Sequence, residues 1–250
     1  MTQTEILVKS TIDGSMQPSL LFKSPNNNRP LLVGLHSWSY DRFNQVEYML
    51  PYAENYDFNL LLPEFRGPNL EDNPHCTEAC GSESAKQDIA DATDYATEIC
   101  CADKENIFLL GGSGGGHMAL LMAGYCPEKY KAIGAFAAIC NLDRWKDEDY
   151  HYTKHILACC SNDKEEMLKR SPVSYIDTIA KANLKIFHGK WDHIVPYTHS
   201  KDLYDSVIAK YPDCKVYLDI FDGKHDMDLE KAMYWLMSQY TKSTAKEISG

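Results

Sequence analysis

Six residues, Gly111-Gly112-Ser113-Gly114-Gly115-Gly116, restrict what this chain can fold into more than any other feature. They follow Ile107-Phe108-Leu109-Leu110, a short apolar run that reads as a buried strand, and precede Met118 to Tyr125, which reads as a helix. Gly111, Ser113 and Gly115 match G-x-S-x-G, a pattern in which serine sits on a strained strand-to-helix bend that tolerates only small neighbours. Such a bend lifts the hydroxyl to a helix N-terminus, where backbone N–H groups and the helix dipole favour developing negative charge. A phosphate-cradling loop is the rival reading. The run lacks the Gly-Lys-Ser/Thr of such loops, and it does not sit at a first strand-to-helix turn with an acidic residue after a second strand. Ser113 is therefore read as a nucleophile.

The surrounding pattern supports a parallel sheet covered by helices. Leu31–Leu35, Asn59–Leu62, Ile107–Leu110, Ala132–Phe136, Leu184–Phe187 and Val216–Leu218 are short runs suited to strands, and longer segments separate them. Glu5 to Phe22 reads as a hairpin turning at Asp13-Gly14. From Ser84 to Cys101, Ala85, Ile89, Ala92, Ala96 and Ile99 share one helical face, with Ser84 and Gln87 spaced as a capping box. Leu203, Val207 and Tyr211 mark a second amphipathic helix, and Leu229, Met233, Leu236 and Tyr240 a third. Arg66–Ser82 and Asn141–Tyr175 fit neither period and are placed on the rim of the crevice at the strands' carboxyl ends. Nothing divides the chain, so residues 1–250 are expected to form one domain, with a small lid insertion at about 141–175.

A serine hydroxyl needs a base to take its proton, and the base needs a group that orients it. In a fold of this kind the order along the chain is serine, acid, histidine. His188-Gly189-Lys190-Trp191-Asp192 follows one predicted strand and supplies Asp192 as the acid. Gly223-Lys224-His225-Asp226 follows the next and supplies His225 as the base. Asp222 and Asp226 compete for the acid's role, and His188 and His193 for the base's; His188 is expected to pack beside the acid-bearing turn. The oxyanion would be met by the backbone N–H groups of Gly114 and Trp38, with Ser37 next in line, and losing one such donor costs about 3 kcal/mol of barrier. The Trp38 and Trp145 rings are candidate substrate contacts.

Composition narrows the partners. The formal net charge of -11 argues against nucleic acid and anionic membranes, leaving a small-molecule substrate. Met1 to Ser10 lacks a basic region followed by an apolar run, and no stretch approaches the ~18 apolar residues of a membrane span, so a cytoplasmic protein is expected. Nine cysteines without a secretory signal read as reduced thiols. His75, Cys76 and Cys80 invite a zinc reading, but their second pair would be Cys100-Cys101, which has no spacer. His151 and His155 have helical ligand spacing without an evident third ligand. No metal or other cofactor is expected.

The G-G-S-G-G elbow, Pro63-Glu64-Phe65-Arg66-Gly67, Arg170-Ser171-Pro172 and the H-G-x-x-D-x-x-V-P run from His188 to Pro196 resemble prolyl oligopeptidase-like serine hydrolases of the α/β-hydrolase superfamily. The resemblance covers about Leu31 to Tyr240. It implies an α/β-hydrolase fold, a mostly parallel sheet with helices on both faces, and the same Ser113, Asp192 and His225. Two departures stand out: His36-Ser37 replaces the usual His-Gly, and Lys224-His225-Asp226 replaces the frequent Gly-His-Gly. The group includes carboxylesterases, acetyl-xylan and feruloyl esterases, and peptidases. Its peptidases carry a propeller before this region, so the chain is expected to be a carboxylesterase for small esters, including acetylated or feruloylated carbohydrates. The alternative is a small aminopeptidase or acyl-peptide hydrolase, with Asp147, Glu148 and Asp149 as candidate clamps for a peptide amine.

Overall fold

The computed structural model describes residues 1–241. Its elements, in chain order, are β1 (Thr2–Lys9), β2 (Met16–Lys23), β3 (Leu31–Leu35), α1 (Val46–Tyr56), β4 (Asn59–Pro63), α2 (Glu83–Ile99), β5 (Ile107–Gly112), α3 (Gly114–Tyr125), β6 (Ala132–Phe136), α4 (Leu142–Glu148), α5 (Tyr150–Cys159), α6 (Lys164–Lys169), α7 (Ile176–Ile179), β7 (Leu184–Gly189), α8 (Thr198–Lys210), β8 (Val216–Phe221) and α9 (Leu229–Gln239). The strands form one sheet in the order β1-β2-β4-β3-β5-β6-β7-β8. β1 and β2 make the expected antiparallel hairpin at one edge, β2 meets β4 antiparallel, and every other pair is parallel.

Alternation along the strands builds two cores. Leu31, Val33, Leu109, Ile133 and Ile186 face one side, under α2, α3, α7 and α8. Leu32, Phe108, Leu110, Phe136 and Phe187 face the other, under α1 and α9. With both faces covered, the central strands are apolar throughout, as β3 and β5 show. This is the α/β-hydrolase arrangement. α3 is buried from Gly114 to Gly124, so the elbow feeds a helix that lies wholly inside the protein.

Two local expectations change, and one helix had gone unread. The cap of α2 is Ser82, whose side chain accepts the Ala85 N–H, so the helix starts before Ser84 and its capping-box spacing goes unused. α1 was not legible in the sequence, because Pro51 lies inside it and its apolar stripe is short. The 141–175 segment, read as irregular, holds α4, α5 and α6. Among the described residues, no helix is long and apolar enough to cross a membrane.

Candidate active site

Ser113 stands between β5 and α3 with φ 57° and ψ −118°, a left-handed conformation that a side chain adopts only when its surroundings enforce it. Its N–H is held by the Phe136 carbonyl at 2.9 Å. Neighbouring backbone leaves no room for a side chain at Gly111, where a Cβ would lie 2.2 Å from the Gly115 carbonyl oxygen. The bend is thus fixed by close packing of backbone on backbone.

Asp192 and His225 come from the turns after β7 and β8, two strands that pair directly. Gly189 lets those turns close on each other, since a Cβ there would lie 2.0 Å from the Lys224 carbonyl oxygen. Lys190 N–H to Phe221 and Trp191 N–H to Gly223 then lace the turns together at 2.8 and 2.9 Å. In this frame His225 Nδ1 donates to Asp192 Oδ2 at 2.7 Å. That bond fixes the tautomer and leaves Nε2 free to accept a proton.

Asp192 is held from every side. Its Oδ1 accepts the N–H groups of Ile194 and Val195 at 2.9 and 3.0 Å, and His188 Nε2 lies 3.2 Å from Oδ2. His188 is fully buried, with Nδ1 at 2.7 Å from Ser200 Oγ and Nε2 at 2.8 Å from the Val195 carbonyl. Nε2 therefore carries the proton, and Nδ1 accepts from the Ser200 hydroxyl. Burial would raise the Asp192 pKa, but the hydrogen bonds from His188 and His225 outweigh it and hold the carboxyl well below its usual range. As expected, His188 packs beside the acid-bearing turn. Ser200, which orients it, gave no signal in the sequence.

Ser113 and His225 line one cavity of about 210 Å³, walled by Trp38, Tyr40, Phe136, Tyr152, Ile194 and Met227. Next to Ser113, Gly114 packs on the backbone of Trp38, and a Cβ on Gly114 would lie 2.4 Å from the Trp38 nitrogen. Gly114 opens α3, so its N–H has no partner within the helix. The Ser37 N–H is taken by Asn44 Oδ1 at 3.0 Å, whereas the Trp38 N–H makes no hydrogen bond among the described residues. Of the two N–H groups weighed for the second oxyanion donor, Trp38 is the one left available.

Trp145 corrects an expectation. It is only 1% exposed, donates Nε1–H to the Ile194 carbonyl and packs edge-on against Trp38, so it supports the wall from behind. Tyr152, stacked on Trp145, supplies the surface instead. The acidic residues weighed as an amine clamp are engaged elsewhere. Asp147 pairs with Lys146, Glu148 with Arg144 and His199, and Asp149 caps α5. Asp226 does line the cavity, with one carboxylate oxygen accepting the Lys224 N–H. His155 pairs with Glu71, and among the described residues no three His, Cys, Asp or Glu side chains converge as metal ligands. Cys76 and Cys80 join Cys159 and Cys160 in one apolar cluster, whereas Cys100 belongs to another.

The fold and the elbow define an α/β-hydrolase. Residues 76–241 match the prolyl oligopeptidase family, and the chain belongs to that family of serine hydrolases. It is similar to an acylamino-acid-releasing enzyme of Arabidopsis thaliana, 25% identical over an alignment of 236 positions that covers 85% of this chain and 30% of that protein. An acylaminoacyl peptidase of Pyrococcus horikoshii superposes with a TM-score of 0.75 at 19% identity, over 96% of this chain and 42% of its own. An S-formylglutathione hydrolase of Staphylococcus aureus superposes at 0.69 and 18% identity, over 94% of this chain and 98% of its own. The chain thus spans less than half the length of the two peptidase relatives.

Proposed function

We propose that the protein is a serine carboxylesterase that cleaves small carboxylic esters through an acyl-enzyme. Ser113 Oγ attacks the ester carbonyl and passes its proton to His225 Nε2. Asp192 holds the imidazole and stabilises the imidazolium that forms. The N–H groups of Gly114 and Trp38 meet the oxyanion, and His225 returns the proton to the departing alcohol. Water, activated by the same base, then frees the acid. These steps balance protons among the protein's own groups and need no cofactor.

The observation that carries the ester reading is the cavity. At about 210 Å³ it is small for a ligand site and mostly apolar-walled, which suits a short acyl group. The engagement of Asp147, Glu148 and Asp149 elsewhere leaves a free peptide amine without that clamp. The second reading, an acyl-peptide hydrolase, is favoured by the named activity of the Arabidopsis relative and needs no amine clamp, since its substrate's amine is blocked. Matched p-nitrophenyl acyl esters and N-acyl-amino-acid p-nitroanilides separate the two, with chelator in a parallel run. The esterase reading expects kcat/KM to favour short acyl esters by at least about a hundredfold, unchanged by chelator. A preference for the anilides would establish the peptidase reading.

A further inference from the structure

We propose that Asp226 makes the cavity selective for esters whose alcohol carries a cationic group, a choice of substrate that rests on the esterase reading above. The place of this carboxylate relative to the reacting atoms carries the argument. His225 returns the proton to the departing alcohol, so the loop that bears it lies on the leaving-group side of Ser113. Asp226 is the next residue along that loop, and it lines the same cavity as Ser113 and His225. Lys224-His225-Asp226 is also one of the two places where the sequence departs from the family it resembles.

The carboxylate is open to a ligand. One oxygen accepts the Lys224 N–H at 3.1 Å, which shapes the loop. Among the described residues the other oxygen makes no hydrogen bond, and the group makes no ion pair. No lysine or arginine lines the cavity, so a cation entering it meets this carboxylate without a competitor on the wall.

The walls suit the same class of group. Tyr40 is 57% exposed where it lines the cavity, so a bulky head group can reach its ring. Tyr152 stands edge-on to Trp38, with 6.1 Å between ring centroids, and adds a second aromatic surface. Aromatic faces attract ammonium groups, quaternary ones included, and Ile194 and Met227 offer apolar surface to the methyl groups around such a nitrogen. A sugar alcohol would need several polar partners instead. The wall offers few, and Ser37 Oγ is committed to the Gly112 carbonyl at 3.2 Å. The formal net charge of -11 acts in the same direction, drawing cations to the molecule and repelling anionic esters.

The test compares acetylcholine with its neutral isostere, in which a tert-butyl group replaces trimethylammonium. Wild type is expected to show kcat/KM at least about fivefold higher for the cationic ester at low ionic strength, and the preference should shrink in high salt. Asp226→Asn keeps an acceptor for the Lys224 N–H and should remove most of the preference, whereas Asp226→Glu should retain it. A merely structural Asp226 would alter both rates together and leave their ratio intact. Equal kcat/KM for the two esters in wild type, or a preference undiminished in Asp226→Asn, would overturn this proposal and leave the esterase reading standing. Glycerol monoacetate is run alongside, and its preference over both esters would likewise overturn the proposal. Hydrolysis of none of the three would overturn the esterase reading and this proposal with it.

Discussion

At the scale of single residues, the candidate site is built on closely packed backbone. Gly114 is the sharpest case, because a methyl group there would press on the nitrogen of Trp38. Gly114→Ala is expected to lower kcat about a hundredfold with KM changed little, since the oxyanion forms only in the transition state; steady-state kinetics on one ester would show it. Asp192→Asn leaves packing nearly intact but favours the wrong His225 tautomer. A kcat loss of roughly three to four orders of magnitude is expected. His117, fully buried beneath the site, donates Nδ1–H to the Ile139 carbonyl at 2.8 Å. Burial pulls its pKa down to about 4 from an ordinary 6.5, against that one hydrogen bond. The unfolded chain therefore binds a proton that the folded protein refuses. The resulting stability is full above about pH 6.5 and falls as pH drops towards 4, by about 3 kcal/mol at most. Urea unfolding across that window would read this slope, and His117→Leu should flatten it.

At the scale of elements, the irregular segments carry more structure than their sequence shows. The loop from Arg66 to Ser82 has no period to read, yet the buried Arg66 organises it, bonding Asp88 on α2, Asp13 in the β1–β2 turn and Glu78 within the loop. Burial raises the Asp88 pKa, and Arg66 opposes that effect. Arg66→Met strands Asp88 and should cost about 3 kcal/mol or more, and adding Asp88→Leu should restore much of it; denaturant midpoints of the two variants decide. Ser82→Ala should cost about 1 kcal/mol by removing the cap of α2, whereas Ser84→Ala should cost less. What the sequence carried plainly was periodic or chemically singular: the strand runs, the glycine elbow, and Asp192 and His225 each after its own strand. What it hid depended on contacts between distant segments. Trp145 and Tyr152 are both aromatic and both in the insertion, and only packing decides which faces the cavity. Cys80 and Cys160 stand eighty residues apart, and only the fold brings them into one apolar cluster.

At the scale of the whole molecule, strand order assembles the site. β5, β6, β7 and β8 are consecutive neighbours, so turns distant in sequence open on the same edge of one sheet. The Ser113 elbow and the His225 loop thereby reach one cavity, with Asp192 bonded to His225 behind it. The two cores fix the relative heights of these turns, and the strain at Ser113 is held by packing on both sides. The proposed function requires that this arrangement make Ser113 chemically distinct from the other serines in the chain. Reaction with a fluorophosphonate, which phosphonylates only activated serines, tests that claim most directly by intact mass and peptide mapping. A single adduct on Ser113, absent in Ser113→Ala and in His225→Ala, is the result expected. An adduct on another residue, or an unlabelled Ser113 in protein that still hydrolyses esters, would contradict the account.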